Sequence, residues 1–193
     1  QARLTESALR GKHDMNWIEE ADWKCRHKRQ ILFAKDSEFL QDVALLLHHQ
    51  EHRAAVLWAF DFAAESVCWL EKRYPGERPG RALQAARDWA AGTVKMPLAQ
   101  RAILDCHALA KEISDRADQA VCHAVGQACA VVHTAGHAMG YPLYDLTSIL
   151  FRLGMEDGVK AVEARKQEYI DRLLYWGAHV GEYQGTWADF LLR

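Results

Sequence analysis

The sequence predicts an all-α protein, a multi-helix bundle of about seven or eight helices in one globular domain. Three observations predict it. Apolar residues recur three and four apart through most of the chain, the spacing that lines one face of a helix. The sequence has no run of consequence that alternates apolar and polar residues as a half-buried strand would. Glycines and prolines fall mostly between the periodic stretches, which makes the connections short. A chain of 193 residues, 50% hydrophobic and 26% charged, has the composition of a folded protein able to bury a single core.

Residues 1–35 read as an N-terminal arm. They are polar and carry a basic knot at Lys24, Arg26, His27, Lys28 and Arg29, which reads as a solvated helix face ahead of a nucleic-acid or membrane contact. Trp17, Ile18, Trp23, Ile31, Leu32 and Phe33 are too apolar for a free tail, so the arm is expected to dock on the core. The bundle core is expected over residues 36–177. Asp36 or Ser37 is placed to cap a helix through Phe39, Leu40, Val43, Leu46 and Leu47 that ends near His48–Gln50.

A longer helix follows, with Val56, Leu57, Phe60, Ala64, Val67 and Leu70 at helical spacing, stopped by a Tyr74–Gly80 loop rich in Pro and Gly. Arg81–Ala91 is a shorter helix ended by Gly92. Pro97 opens the next, which carries Ile103, Leu104, Leu109 and Ile113. Ser114 is a candidate cap for one long helix from Asp118 to the Gly140–Tyr141–Pro142 turn. Leu143–Leu153 is then stopped by Gly154, and Asp157 is placed to cap a last helix that runs to Gly177. Residues 178–193, with Tyr183, Trp187 and Phe190, read as a C-terminal strap over the core.

Net charge is −2, so no global basic field argues for nucleic acid. No apolar run approaches the ~18–20 residues that span a bilayer, and the first residues have neither an apolar signal region nor a cleavage pattern, so a cytoplasmic protein without a membrane partner is expected. The cysteines, Cys25, Cys68, Cys106, Cys122 and Cys129, are odd in number and sit in apolar helical patterns, as reduced thiols do.

The stretch Asp118–Leu150 concentrates the residues that could carry chemistry. Wound as one helix at about 100° per residue, His123, Gly126, Ala130, His133 and His137 share an arc of roughly 80°, flanked by Cys122, Cys129, Gly136 and Gly140. Such a strip suits a crowded helix contact. His133 and His137, with His123, are candidate ligands for zinc or iron, although no carboxylate base or cysteine knuckle accompanies them. The alternative is neutral histidines hydrogen-bonded to backbone, Tyr144 or an acid.

Cys106–His107 and Cys122–His123 each set a thiol beside an imidazole. Adjacent helical residues diverge by about 100°, which leaves only a cross-helix dyad such as Cys106 with His123. No G-x-S-x-G, P-loop or dinucleotide fingerprint occurs. Trp58, Asp61 and Glu65 lie on one helix, and Asp61 is an acid in very apolar company. It either pairs with a histidine or an arginine inside, or faces solvent. No catalytic or cofactor-binding set is complete.

HRAAVLWAFDFAAE, RPGRALQAARDWAAG and above all CHAVGQACAVVHTAGHAMGYPLYDL resemble the helical putative immunity protein family of bacterial polymorphic toxin systems, from about His52 to Leu150. Trp58, Asp61, Trp89, His123, Gly126, His133, His137, Gly140 and Tyr144 fall on the family's motif positions. Where members carry an acid, this chain has Ala64, with Glu65 one place later. The resemblance implies an α-helical domain that neutralises a cognate toxin by binding it, and brings no catalytic residues with it. Two other readings stand beside that expectation: a metal-binding protein or metal-dependent enzyme using His123, His133 and His137, and a structural or interaction module in which the histidines only set helix register.

Overall fold

The computed structural model describes residues 16–193, which form seven α-helices and no strand. The first 15 residues of the expected arm lie outside the described residues. In chain order the helices are α1 (Trp17–Arg26), α2 (Gln41–His49), α3 (His52–Arg73), α4 (Arg78–Ala90), α5 (Met96–Leu109), α6 (Arg116–Ala130) and α7 (Gly140–His179). Short 3-10 turns cover Glu38–Leu40, Ala135–His137, Val180–Glu182 and Asp189–Leu191. Among the described residues no helix is long and apolar enough to cross a membrane.

Helix α3 is the axis. From Ala54 to Phe60 every residue is buried, because α4, α6 and α7 pack around it. Trp58 is fully buried, donates its indole N–H to the Tyr169 carbonyl at 3.1 Å, and meets Phe62, Tyr141 and Tyr169 edge-on. Edge-to-face contact matches the positive rim of one ring to the negative face of another, and a buried indole N–H needs such an acceptor.

Helix α7 is two limbs. Gly154 has φ 77° and ψ 175°, which a side chain strongly disfavours, and the chain folds back there. Residues 140–153 and 155–179 therefore lie antiparallel: Gly158 approaches Leu150, and the Tyr141 and Tyr169 rings are 6.2 Å apart. The second limb restarts immediately after Gly154, so Asp157 is inside it and caps nothing.

The expected long helix from Asp118 to Gly140 is two elements. Helix α6 stops at Ala130, and residues 131–139 form turns before α7 begins at Gly140. The stop is tertiary. Val131 and Val132 are buried, and His52 at the start of α3 hydrogen-bonds to the Val131 carbonyl at 2.6 Å, taking up an acceptor that a helix end leaves open. Thr134 then turns extended, with φ −156°, and its hydroxyl accepts from the Gly136 N–H at 3.3 Å to start the next turn. The shared 80° arc of histidines consequently does not exist.

Smaller boundary shifts have local causes. Asp115 rather than Ser114 caps α6, accepting from the Asp118 N–H at 3.0 Å. Ser37 precedes a 3-10 turn without a side-chain bond, so the helix proper starts at Gln41. Pro79 fits the first turn of α4, which draws the helix start back to Arg78. Leu32 and Phe33 are buried, and Trp17 stacks on Phe33 and Phe39. At the other end, the Ala188 N–H donates to the Ala90 carbonyl at 2.7 Å, Leu191 is buried, and Phe190 packs on Trp89.

Candidate functional site

The histidines of interest separate into two groups. His123, on α6, faces His107 of the antiparallel α5, and their Nδ1 atoms lie 2.8 Å apart, one donating and the other accepting. Tyr144 covers His123 with ring centroids 5.1 Å apart. Gly126 makes the pairing possible, since a Cβ there would lie 2.8 Å from His107 Cδ2 and closer still to Cε1 and Nε2. The small residue thus admits an imidazole rather than the second backbone that a glycine-lined face suggests. Burial, and for His107 also the neighbouring His123, disfavours the charged rings: His107 is pushed down to about 4 and His123 is lowered.

His133 and His137 occupy the turn beyond α6. His133 is exposed and stacks on Trp89 at 6.1 Å, with His137 at 6.4 Å from it between ring centroids. Both face away from the His107–His123 pair's own partners. Among the described residues no three His, Cys, Asp or Glu side chains come together as ligands of a metal ion would. His123 spends one ring nitrogen on His107, not on His133 or His137.

The thiols are packing groups. Cys106 Sγ points at the Cys122 carbonyl at 3.6 Å rather than at His123, and Cys106, Cys122 and Cys129 are all fully buried. Burial raises all three, Cys122 and Cys129 to about 12, so they remain protonated at neutral pH. Asp61 pairs with an arginine: it accepts from Arg172 at 2.6 Å and from the Trp176 indole at 2.7 Å at the rim between α3 and α7.

Two acids that the sequence reading passed over organise the charged side of the bundle. Asp145, on the first limb of α7, is buried and accepts from Arg165 Nε at 2.8 Å and the Tyr169 hydroxyl at 2.5 Å. Arg165 also reaches Glu65 and Glu168, at 2.8 and 2.6 Å, and covers the Phe62 ring at 4.6 Å. Burial works against the Arg165 charge, but Asp145 and its neighbours outweigh it and keep the group protonated. Tyr141, buried, bonds to Ser66 at 2.9 Å and to the Phe62 carbonyl at 3.1 Å.

Asp118, at the start of α6, accepts from Trp69 Nε1 at 2.8 Å, Arg73 Nε at 2.8 Å and the Tyr74 hydroxyl at 2.6 Å. Burial alone would raise its pKa, yet those three donors hold it below the usual aspartate value. Between the two networks a cavity of about 160 Å³ is lined by Glu65, Trp69, Val121, Asp145, Arg152 and Arg165. Both acids carry the signal that drew attention to Asp61, a carboxylate among apolar neighbours, in Asp118–Ala120–Val121 and in Tyr144–Asp145–Leu146.

A family model described as Imm-5 like putative immunity protein matches residues 45–174. The chain belongs to this family. Neither a curated protein nor a solved structure matches it. The immunity-protein match runs from within α2 to the second limb of α7, and so takes in Trp58, Asp61, His123, Gly126, His133, His137 and Tyr144 together with both acidic networks. It leaves α1 and the C-terminal residues outside.

Proposed function

We propose that this chain is the immunity partner of a bacterial toxin: a cytoplasmic protein that neutralises one cognate toxin by binding it. Membership of the immunity-protein family over residues 45–174 carries the reading. The chemistry of the bundle supports it. The buried thiols stay protonated, the His107–His123 pair stays neutral, and Arg165 and Arg73 are already engaged by internal carboxylates. Such groups hold helices in fixed positions and so present a rigid surface, which binds without a large ordering cost. The motif histidines then serve the fold rather than a reaction.

The test is in cells. A toxin that kills when expressed alone is co-expressed with the chain, and growth is compared with that of cells making the toxin with an unrelated helical protein. Restored growth, with both proteins co-eluting as one complex, is the expected result. Death at equal toxin levels, with the chain folded and abundant, would remove the proposal.

A further inference from the structure

Beside the carboxylate networks runs a row of arginines laid over aromatic rings. Arg116 Cζ sits 4.1 Å from the centre of the Phe151 ring, and Arg152 Cζ sits 4.2 Å from that of Trp69. Arg73 approaches the same indole at 5.1 Å. Two contacts join these stacks. Phe151 and Arg152 are consecutive on α7, and Arg116 stands two residues before Asp118, which holds Trp69 and Arg73 in place. Arg116 also donates to the Arg29 carbonyl at 3.0 Å, which ties the row to the basic knot read in the arm.

These arginines differ from the others in how they are balanced. Arg26, Arg53, Arg78, Arg165 and Arg172 each lie against a carboxylate, as does Arg73. Among the described residues, neither Arg116 nor Arg152 has a carboxylate within 4.0 Å, and both are exposed. A guanidinium flat on a ring is fixed in place by that ring while its N–H edge faces outward, ready for a carboxylate in a forked pair. Trp69 itself is 36% exposed, and tryptophan with arginine is the composition of an energetic centre in a protein interface.

We propose that this arginine–aromatic row, centred on Arg116, Arg152 and Trp69, is the surface that grips the partner, and that the partner presents an acidic protein face to it. The proposal rests on the immunity reading and names the chemistry of its interface. Charge complementarity selects the occupant. Exposed acids interrupt the row, Asp115 beside Arg116 and Glu65 across the small cavity from Arg152. A nucleic-acid backbone, with a phosphate every ~3.4 Å of strand, would meet those acids. Separate carboxylates on a folded protein fit between them.

The experiment uses the whole chain and two labelled probes, an oligoglutamate peptide and a duplex DNA of equal charge, followed by fluorescence anisotropy at low and at physiological salt. The double variant R116Q/R152Q removes two unpaired surface cations and no ion pair, and R172Q is the control for loss of an arginine elsewhere. The peptide is expected to bind in preference to the DNA and to weaken about tenfold in R116Q/R152Q, the loss of one charge-assisted contact, with R172Q unchanged. R152K is expected to weaken binding as well, because an ammonium cannot keep the stacked fork. Tighter binding of DNA, no peptide binding, or equal binding by R116Q/R152Q would overturn the proposal.

Toxin rescue separates this claim from the one beneath it. Undiminished rescue by R116Q/R152Q would overturn the row as the interface while leaving toxin neutralisation standing. Absence of rescue by the unaltered chain, with selective peptide binding intact, would remove the toxin and keep the acidic-partner surface.

Discussion

Gly126→Ala is expected to destabilise the protein, although alanine is the better helix former. Changing Gly to Ala inside an exposed helix gains about 1 kcal/mol. Here the added methyl would lie within 2.8 Å of His107 Cδ2, with Cε1 and Nε2 nearer, so the whole ring must shift. It cannot shift freely, because its opposite edge is hydrogen-bonded to His123 at 2.8 Å. Overpacking costs about 1–3 kcal/mol and the lost hydrogen bond about 1 kcal/mol. The net loss is about 2 kcal/mol, roughly thirtyfold in the folding equilibrium.

The assay is chemical denaturation, read as a lower midpoint at unchanged slope. His107→Ala opens the space, so adding Gly126→Ala in that background should instead raise stability by about 0.5–1 kcal/mol. A neutral or stabilising Gly126→Ala in the unaltered chain, or the same sign in both backgrounds, would refute the reasoning.

Further expectations follow from the same contacts. His107, near 4 when folded, and His123, also lowered, bind fewer protons than the unfolded chain, whose histidines titrate near 6.5. Their contribution is complete above about pH 6.5 and is lost as pH falls toward about 4; denaturation midpoints across that window should decline less steeply in His107→Asn. Asp118, held below its usual value, adds a second loss at still lower pH, absent in Asp118→Asn. Asp145→Asn leaves Arg165 without its buried partner and should cost about 2 kcal/mol, short of a full buried-pair loss because Glu65 and Glu168 remain, measured by thermal melting. Leu191→Ala, at a buried position near Trp89, should cost about 2 kcal/mol and raise the exchange rate of the Ala188 amide.

Much of the helix pattern was legible because its signals are local. The period of Val56, Leu57, Phe60, Val67 and Leu70 marks α3, Pro97 marks the first turn of α5, and Gly154 marks the reversal in α7. The end of α6 was not legible, since residues 131–137 keep a helical apolar spacing, and the bond that stops the helix comes from His52, 79 positions earlier. The same limit hid the site. Two Cys–His dipeptides stand 16 residues apart in the sequence, but their pairing, sulfur to carbonyl and ring to ring, exists only once α5 and α6 lie antiparallel. Asp145 meets Arg165 only across the Gly154 reversal, and Arg152 finds Trp69 only across the α3–α7 contact. Asp61 was recognised as needing a partner, while the identity of that partner, Arg172, depended on the second limb of α7.

The most direct test of neutralisation by binding is titration of the purified chain into the purified cognate toxin, with the toxin's activity followed at each addition. Linear inhibition that is complete at one equivalent, unchanged by chelator, is the predicted result. Loss of toxin activity at a small fraction of an equivalent would mean that the chain turns over, and full toxin activity at excess would mean that it does not engage the toxin; either would contradict the account.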